Sequence, residues 1–181
     1  MTILTSWSGV DIDITSPQTS DIHIKDIAHS LSMICRYNGT TRYHYSVAQH
    51  CVAVANVAQK MGCPPEQVLY ALLHDATEAY ICDIPRPLKT LLSDYNKIEQ
   101  TLNRVIMDKF GISDVDTTTV DIIDYNIVYD EALEVLDKTP SWLSQYESVT
   151  KDRTLFRKMN PNDAYTKFMS KYDELREVIN A

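Results

Sequence analysis

Residues with the chemistry of a metal site are concentrated in the segment LLHDATEA, residues 72–79, where two leucines lead directly into His74 and Asp75. Imidazole and carboxylate groups are ligands for divalent metals, and adjacent ligands can converge on one ion if the predicted helix is distorted there. Glu78 lies one helical turn further on and faces the same space. A glutamate beside a metal, but not bound to it, is placed to take a proton from a water molecule.

A metal site needs more ligands, and two other polar residues stand on mostly apolar faces of predicted helices. His50 belongs to the helix before the His-Asp pair, and Asp124 belongs to a later helix. Burying either side chain alone is costly, whereas a shared metal would satisfy both of them together with the pair. Each residue also has a plainer interpretation. His50 could be a core histidine bonded to a carbonyl, and the His-Asp pair could be an ion-paired surface patch. Asp124 could be an ordinary helix aspartate, with Asp121 or Asp130 as the metal ligand in its place.

Apolar residues at helical spacing run through most of the chain from Ile24 onward, and these are the elements that must position the site. Local signals mark the ends of these helices. A capping side chain bonds to a free backbone N–H at the start, proline at the first helical position has no N–H to leave unpaired, and glycine after the last position adopts the left-handed conformation that ends a helix. The end signals are Ser46 with Gln49, Pro64-Pro65, Gly111 after a helix predicted over residues 94–110, and Asn160-Pro161. A further helix is predicted over residues 117–137, with Leu133 on its buried side.

Only four glycines occur in 181 residues, which argues against a β-rich fold because tight turns with positive φ would lack their usual residue. Near the N-terminus, Ile12 and Ile14 alternate with aspartates, which indicates a short strand paired within a hairpin. The sequence therefore predicts a single all-α domain over residues 1–181. It consists of an N-terminal β-hairpin within residues 1–20 and a helical core of six or seven helices over residues 24–181.

Composition excludes several classes of protein. Hydrophobic residues make up 44% and charged residues 23%, as in ordinary globular domains. The net charge of −8, without a basic cluster, argues against binding to polymeric nucleic acid. The four cysteines form no C-x-x-C pair, so we expect buried, reduced thiols. Neither a signal-peptide pattern nor a run of about 20 apolar residues is present, so we expect a cytoplasmic protein with no membrane partner.

The chain resembles the HD-domain metal-dependent phosphohydrolases. The family's order of ligands, H…HD…D, is matched by His50, His74-Asp75 and Asp124. The segments YSVAQH (45–50), LHDATEAY (73–80) and DIPRPLK (83–89) are similar to those of small bacterial and phage members, the 5′-deoxynucleotidases and dATP triphosphohydrolases. The resemblance extends from about residue 24 to the last helix, is concentrated in residues 36–89, and is weak after residue 140.

The resemblance implies a role for each of these residues. It implies a divalent cobalt, manganese or zinc ion, a water molecule activated or oriented by Glu78, and a leaving oxygen assisted or protonated by Asp83. The metal ligands that it implies are His50, His74, Asp75 and Asp124.

Three further residues are implied as contacts to a small-molecule deoxynucleotide. Arg36 would grip the phosphate, Lys89 would make a second phosphate contact, and Tyr37 would stack on the base. Arg36 has the alternative of pairing with an acidic neighbour, and Lys89 that of a solvated surface charge. His44 is close enough in sequence to His50 to line the pocket, and a glutamate at position 131 is interpreted as structural.

The expected activity is hydrolysis of the 5′ phosphoester of a deoxyribonucleotide at the α-phosphorus. The products would be a deoxynucleoside and either phosphate, from a monophosphate, or triphosphate, from a deoxynucleoside triphosphate. The catalytic residues do not separate these versions, and we favour the deoxynucleotidase. The family's tendency to assemble also implies a homo-oligomer.

Two alternatives remain. One is a phosphodiesterase for a cyclic or signalling nucleotide, although the cyclic-dinucleotide branch carries a Gly-Tyr-Pro extension where this chain has Tyr80-Ile81-Cys82. The other is a catalytically idle nucleotide-binding module, against which Glu78 and Asp83 argue because a structural metal site requires neither.

Overall fold

Helices form most of the molecule in the computed structural model, which describes residues 2–181. Six helices within this range have nine or more residues, in agreement with the predicted all-α class, and two more are single turns. In chain order they are α1 (Ile24–Met33), α2 (Val47–Lys60), α3 (Pro65–Leu73), α4 (Glu78–Ile81), α5 (Arg86–Lys89), α6 (Ser93–Phe110), α7 (Thr118–Val135) and α8 (Pro161–Ile179).

The predicted N-terminal hairpin is present as two short antiparallel strands, β1 (Ile3–Thr5) and β2 (Asp11–Asp13). Leu4 lies opposite Ile12, whose side chain is fully buried. The connecting turn is fixed to α1, because the buried carboxylate of Asp26 accepts hydrogen bonds from the hydroxyls of Ser6 and Ser8 and from the Ser8 backbone N–H. The hairpin is thus packed against α1, where the Trp7 ring also stacks on His29.

Helix α2 lies at the centre of the molecule and packs against α1, α3, α7 and α8. Ten of its fourteen residues are buried, so almost every side that it presents meets another helix. A histidine in the middle of such a helix is enclosed by protein on all sides. The position of α2 therefore accounts for the complete burial of His50.

Local signals in the sequence place the helix ends correctly. The Ser46 hydroxyl accepts a hydrogen bond from the Gln49 backbone N–H, which caps α2. Pro65 is the first residue of α3, and the Asn160 side chain caps α8. Gly111 ends α6 in a left-handed conformation, with φ at 73°.

Two expectations about burial are wrong. Leu133, expected inside, is 36% exposed, because α7 turns its acidic residues rather than this leucine toward the core. The four cysteines are free, as expected, but only Cys51 is fully buried, and Cys82 is exposed. No helix within residues 2–181 is both long enough and apolar enough to cross a membrane.

Candidate metal centre

The regular hydrogen-bond pattern of the helix is interrupted at the His-Asp pair, where a continuous helix was expected. Helix α3 ends at Leu73, and α4 begins only at Glu78. In the turn between them the Ala76 N–H bonds to the Leu73 carbonyl at 2.9 Å, and the Glu78 N–H bonds to the Asp75 carbonyl at 3.0 Å. These bonds span three residues instead of four, as in a 3-10 helix, and they mark a local distortion at the point where two adjacent side chains face one site.

Four side chains from three parts of the fold meet at this turn, and we refer to them as the His-Asp cluster: His50 from α2, His74 and Asp75 from the turn, and Asp124 from α7. The two histidine Nε2 atoms are 3.3 Å apart. Asp124 Oδ1 lies 3.1 Å from His50 Nε2 and 3.4 Å from His74 Nε2. Asp75 Oδ2 lies 3.5 Å and 3.3 Å from the same two nitrogens.

These spacings fit a shared ion. Donor atoms about 2.1 Å from a tetrahedrally coordinated metal lie about 3.4 Å from one another. Five of the six distances among the four donor atoms of the His-Asp cluster, those that involve a histidine, fall between 3.1 and 3.5 Å. His50, His74 and Asp124 thus form a group of side chains able to hold a metal ion.

The outer nitrogen of each histidine fixes which nitrogen faces the cluster. His74 Nδ1 lies 2.8 Å from the Ala71 carbonyl, which can only accept, so Nδ1 carries the hydrogen. His50 Nδ1 lies 2.6 Å from the carboxylate of Glu131 and donates to it. In the neutral form both Nε2 atoms therefore present lone pairs to the centre of the cluster, as metal-bound histidines do.

The electrostatics of the His-Asp cluster favour a positive charge at its centre. Burial lowers the pKa of both histidines, but nearby carboxylates outweigh it and raise the pKa above the ordinary value: Glu131 and Asp124 for His50, Asp75 and Asp124 for His74. The histidines in turn hold the pKa of Asp75 and of Asp124 below its usual range, against the effect of burial. A cation bound here would replace protons that these groups attract.

Glu131, interpreted from sequence as structural, is the centre of a buried network behind the cluster. Its carboxylate is fully buried and accepts hydrogen bonds from His50, from the Tyr45 hydroxyl at 2.8 Å and from the Tyr37 hydroxyl at 3.0 Å. Arg36 Nη2 lies 3.4 Å from it. Burial raises the pKa of Glu131, but Arg36 and His50 outweigh this and lower the pKa to about 2, so the group stays ionised.

Glu78 is the first residue of α4 and lies beside the cluster without belonging to it. The residue is 6% exposed, and its Oε2 atom has no hydrogen-bond partner among the described residues. Burial, followed by the charges of Asp75 and Asp83, raises the pKa of this carboxyl well above its usual value. A buried carboxyl with a raised pKa and an unpartnered oxygen is suited to proton transfer near neutral pH.

Asp83 directly follows a strained turn between α4 and α5. The preceding residue, Cys82, has φ of 69° and ψ of 157°, a region that is nearly confined to glycine. The Tyr95 hydroxyl supports this turn by donating to the Cys82 carbonyl. Burial raises the pKa of Asp83, Arg36 opposes that rise and Asp75 adds to it, so the carboxyl lies within electrostatic reach of the cluster.

Arg36 does pair with acidic neighbours, which was the alternative to a phosphate contact. Its Nη1 atom lies 3.4 Å from Asp75 Oδ2, in addition to the contact with Glu131. Tyr37, which follows it at a positive φ of 55°, directs its hydroxyl inward to Glu131. The roles of Arg36 in phosphate binding and of Tyr37 in base stacking stay predictions.

Two other candidate residues, Lys89 and His44, have polar contacts outside the His-Asp cluster. Lys89 Nζ pairs with Glu99 at 2.5 Å, and its phosphate contact stays a prediction. His44 Nε2 lies 3.3 Å from the Met33 carbonyl, away from the cluster.

The two rivals of Asp124 lie outside the cluster. Asp121 is exposed and accepts a hydrogen bond from the Thr117 hydroxyl. Asp130 is buried, but it pairs with Arg153 and thereby holds the segment before α8 against α7. Asp124 is therefore the α7 aspartate that meets the two histidines.

Comparison with known proteins places the chain among relatives. It is 36% identical over 179 residues to the uncharacterized protein YfdR of Escherichia coli (strain K12), and the alignment covers 98% of each chain. The chain belongs to the YfdR family. An uncharacterized protein of Rhodobacter capsulatus is 36% identical over 110 residues, 58% of this chain and 56% of that protein. No protein-family model matches the chain.

The names of these relatives state no activity. Three residues at the site were given no functional role by the sequence analysis. Glu131 follows Asp124 by seven residues, or two helical turns, a spacing that places both on one face of α7. Cys51 Sγ lies within 4.8 Å of ligating atoms of His74 and Asp75, and the sequence shows it only as the neighbour of His50. The third, Arg86, approaches Asp124 from α5.

Proposed function

We propose that this chain is a metal-dependent phosphohydrolase of the HD-domain superfamily that cleaves the 5′ phosphoester of deoxyribonucleotides. The observation that carries the proposal is that the Nε2 atoms of His50 and His74 lie at ligand spacing from each other and from one oxygen of each of two aspartates. The unpartnered, buried carboxyl of Glu78 follows the His-Asp pair by one turn. The order of these residues along the chain, H…HD…D, supports the same family.

In this proposal the His-Asp cluster holds one divalent ion, with cobalt, manganese and zinc as the candidates. Imidazole and carboxylate ligands suit all three metals. Such an ion, when bound, polarises a phosphoryl oxygen and lowers the pKa of water. Glu131 keeps His50 Nε2 directed at the ion by accepting the hydrogen of Nδ1.

The reaction needs one proton removed and one supplied. Water attacks the α-phosphorus and gives a proton to Glu78, whose free Oε2 can accept it. The bond from phosphorus to the sugar 5′ oxygen breaks, and Asp83 gives that oxygen a proton. The raised pKa of Asp83 suits it to carry this proton. Arg36 contributes positive charge that offsets the negative charge developing on phosphorus.

The proposed substrates are small anions. The net charge of −8 disfavours a long polyanion, whereas a single nucleotide needs only the local positive charge of an ion and one or two arginines. A deoxynucleoside monophosphate would give deoxynucleoside and phosphate, and a triphosphate would give deoxynucleoside and triphosphate. We favour the monophosphate.

The experiment compares two aspartates of α7. Metal-free protein is reloaded with cobalt, manganese or zinc and incubated with deoxy- and ribonucleoside mono- and triphosphates, and products are separated by chromatography. Asp124→Asn should lose both metal and product formation, whereas Asp121→Asn, one turn earlier and outside the cluster, should keep both. The proposal is wrong if the metal-loaded wild-type protein releases no deoxynucleoside from any substrate.

Isotope labelling tests which bond breaks. In ¹⁸O-water the label should enter the released phosphate or triphosphate and leave the nucleoside unlabelled. If a triphosphate instead gave nucleoside monophosphate and pyrophosphate, the bond between the α- and β-phosphates would be the one cleaved. The substrate would then be bound in the reverse orientation.

A further inference from the structure

Arg86, the first residue of α5, lies at the edge of the His-Asp cluster. Its Nη2 atom is 3.9 Å from Asp124 Oδ2, while the other oxygen of Asp124 faces the two histidines. The side chain is 53% exposed, so the guanidinium meets both the cluster and solvent. The guanidinium of Arg86 is therefore accessible to a small anion that approaches the cluster from solvent.

The other two cations near the site are already engaged. Arg36 is 13% exposed and lies between the carboxylates of Asp75 and Glu131. Lys89 makes a short ion pair with Glu99. The ion pair of Arg86 is long by comparison, and its exposure leaves several of its five N–H donors available to a ligand.

A cluster of aromatic rings lies against Arg86. Its guanidinium carbon lies 5.3 Å from the centre of the Tyr125 ring, which is cation–π distance. The Tyr125 ring contacts the Tyr146 ring, with centroids 4.8 Å apart, and Trp142 meets Tyr146 edge-on at 5.9 Å. A cation–π contact does not consume the N–H donors of a guanidinium, and these paired donors match the oxygens of a phosphate.

We propose that Arg86, supported by Tyr125, is a phosphate-binding residue of this site. This inference rests on the proposed function and names the residue that recruits the substrate's phosphate. The phosphate oxygens take paired hydrogen bonds from the guanidinium edge next to Asp124. Tyr125 acts as a positioning residue, because it orients the guanidinium and touches no substrate atom.

Binding of inorganic phosphate tests the inference without turnover. Titration calorimetry on the manganese-loaded protein compares the wild type with Arg86→Ala, Arg86→Lys and Tyr125→Leu. The matched control is Arg104→Ala, an exposed arginine of α6. Arg86→Ala should weaken phosphate binding about tenfold, the scale of one charge-assisted contact. Arg86→Lys and Tyr125→Leu should weaken it less, the control should not change it, and manganese content should stay constant throughout.

The outcomes separate this inference from the proposed function. Wild-type affinity for phosphate in Arg86→Ala, or equal losses in Arg86→Ala and Arg104→Ala, overturns the inference, even if the wild-type protein cleaves nucleotides. A wild-type protein that takes up manganese but no phosphate overturns it as well. Failure of the proposed function is read separately, from the absence of deoxynucleoside in the substrate panel.

Discussion

Glu131 gives no atom to the His-Asp cluster, yet its carboxylate contacts four side chains around it: His50, Tyr45, Tyr37 and Arg36. A fully buried carboxylate is stable only when its oxygens are satisfied, and here each oxygen has two partners. The negative charge does two things at the residue scale. It fixes the His50 tautomer, and it makes His50 a stronger electron donor.

Glu131→Gln should therefore weaken metal binding by about 10- to 100-fold, since the amide keeps the shape and loses the charge. Metal affinity is measured by competition with a chelator, and circular dichroism verifies the fold. Glu134→Gln, one turn later on α7, is the control and should bind metal normally. Equal affinities in the two variants would limit Glu131 to a structural role.

Glu78 is expected to matter for turnover and not for stability. Glu78→Gln should keep its metal, lose turnover by about 10²-fold or more, and unfold at a temperature no lower than the wild type. The thermal result follows because Oε2 has no partner to lose. Turnover, elemental analysis and thermal denaturation check the three parts. Near-normal turnover in Glu78→Gln would show that Asp83 or water, and not Glu78, removes the proton.

At the scale of elements, the caps and ends of the helices could be predicted from sequence, because each depends on a few adjacent residues. Ser46, Gly111 and Asn160 behave as expected for that reason. The break between α3 and α4 could not be predicted in detail, since His74 and Thr77 keep helical φ and ψ and the change lies in the hydrogen bonds of the turn, donated by the Ala76 and Glu78 N–H groups.

Helix α7 shows why the facing of a helix at a site is harder to predict. Hydrophobic patterning assumes that apolar residues face inward. In α7 the fully buried residues include Asp130 and Glu131, while Ile122 and Leu133 are exposed. The burial of Glu131 is offset by the hydrogen-bond network behind the cluster, and that of Asp130 by its ion pair with Arg153. A rule based on apolar residues does not predict either interaction.

The turn between α4 and α5 contains strain that can be removed. Cys82→Gly should raise the free energy of unfolding by about 1 kcal/mol, because relief of the positive φ outweighs the added flexibility of the unfolded chain. Urea denaturation measures the change. Cys63→Gly is the control: Cys63 has no positive φ, so the same substitution should destabilise there. A less stable Cys82→Gly protein would mean that the side chain contributes packing that outweighs the strain.

At the scale of the whole molecule, the cluster joins α2, the turn after α3, and α7. One candidate ligand, His50, lies on α2, and the others lie on α7 and directly after α3, which both pack on α2, so an ion bound there would link the central helix to its neighbours. An ion that binds only the folded chain stabilises it by mass action.

Metal should therefore raise the unfolding temperature in a concentration-dependent way, with a gain of about 2.7 kcal/mol when free metal is 100 times Kd. Thermal denaturation with added metal and with a chelator measures this. Asp121→Asn should retain the shift, and Asp124→Asn should lose it. A shift of equal size in both variants would place the bound ion elsewhere.

The wide separation of these residues along the chain has a consequence for the order in which the site is built. Asp124 lies 74 residues after its contact His50, and Glu131 lies 81 residues after it. During synthesis the ribosome therefore releases both histidines and Asp75 well before α7 exists to complete the set. Closing so long a loop is entropically costly and belongs to the late steps of folding. A bound ion should then slow unfolding and leave the refolding rate nearly unchanged, which stopped-flow measurements would detect.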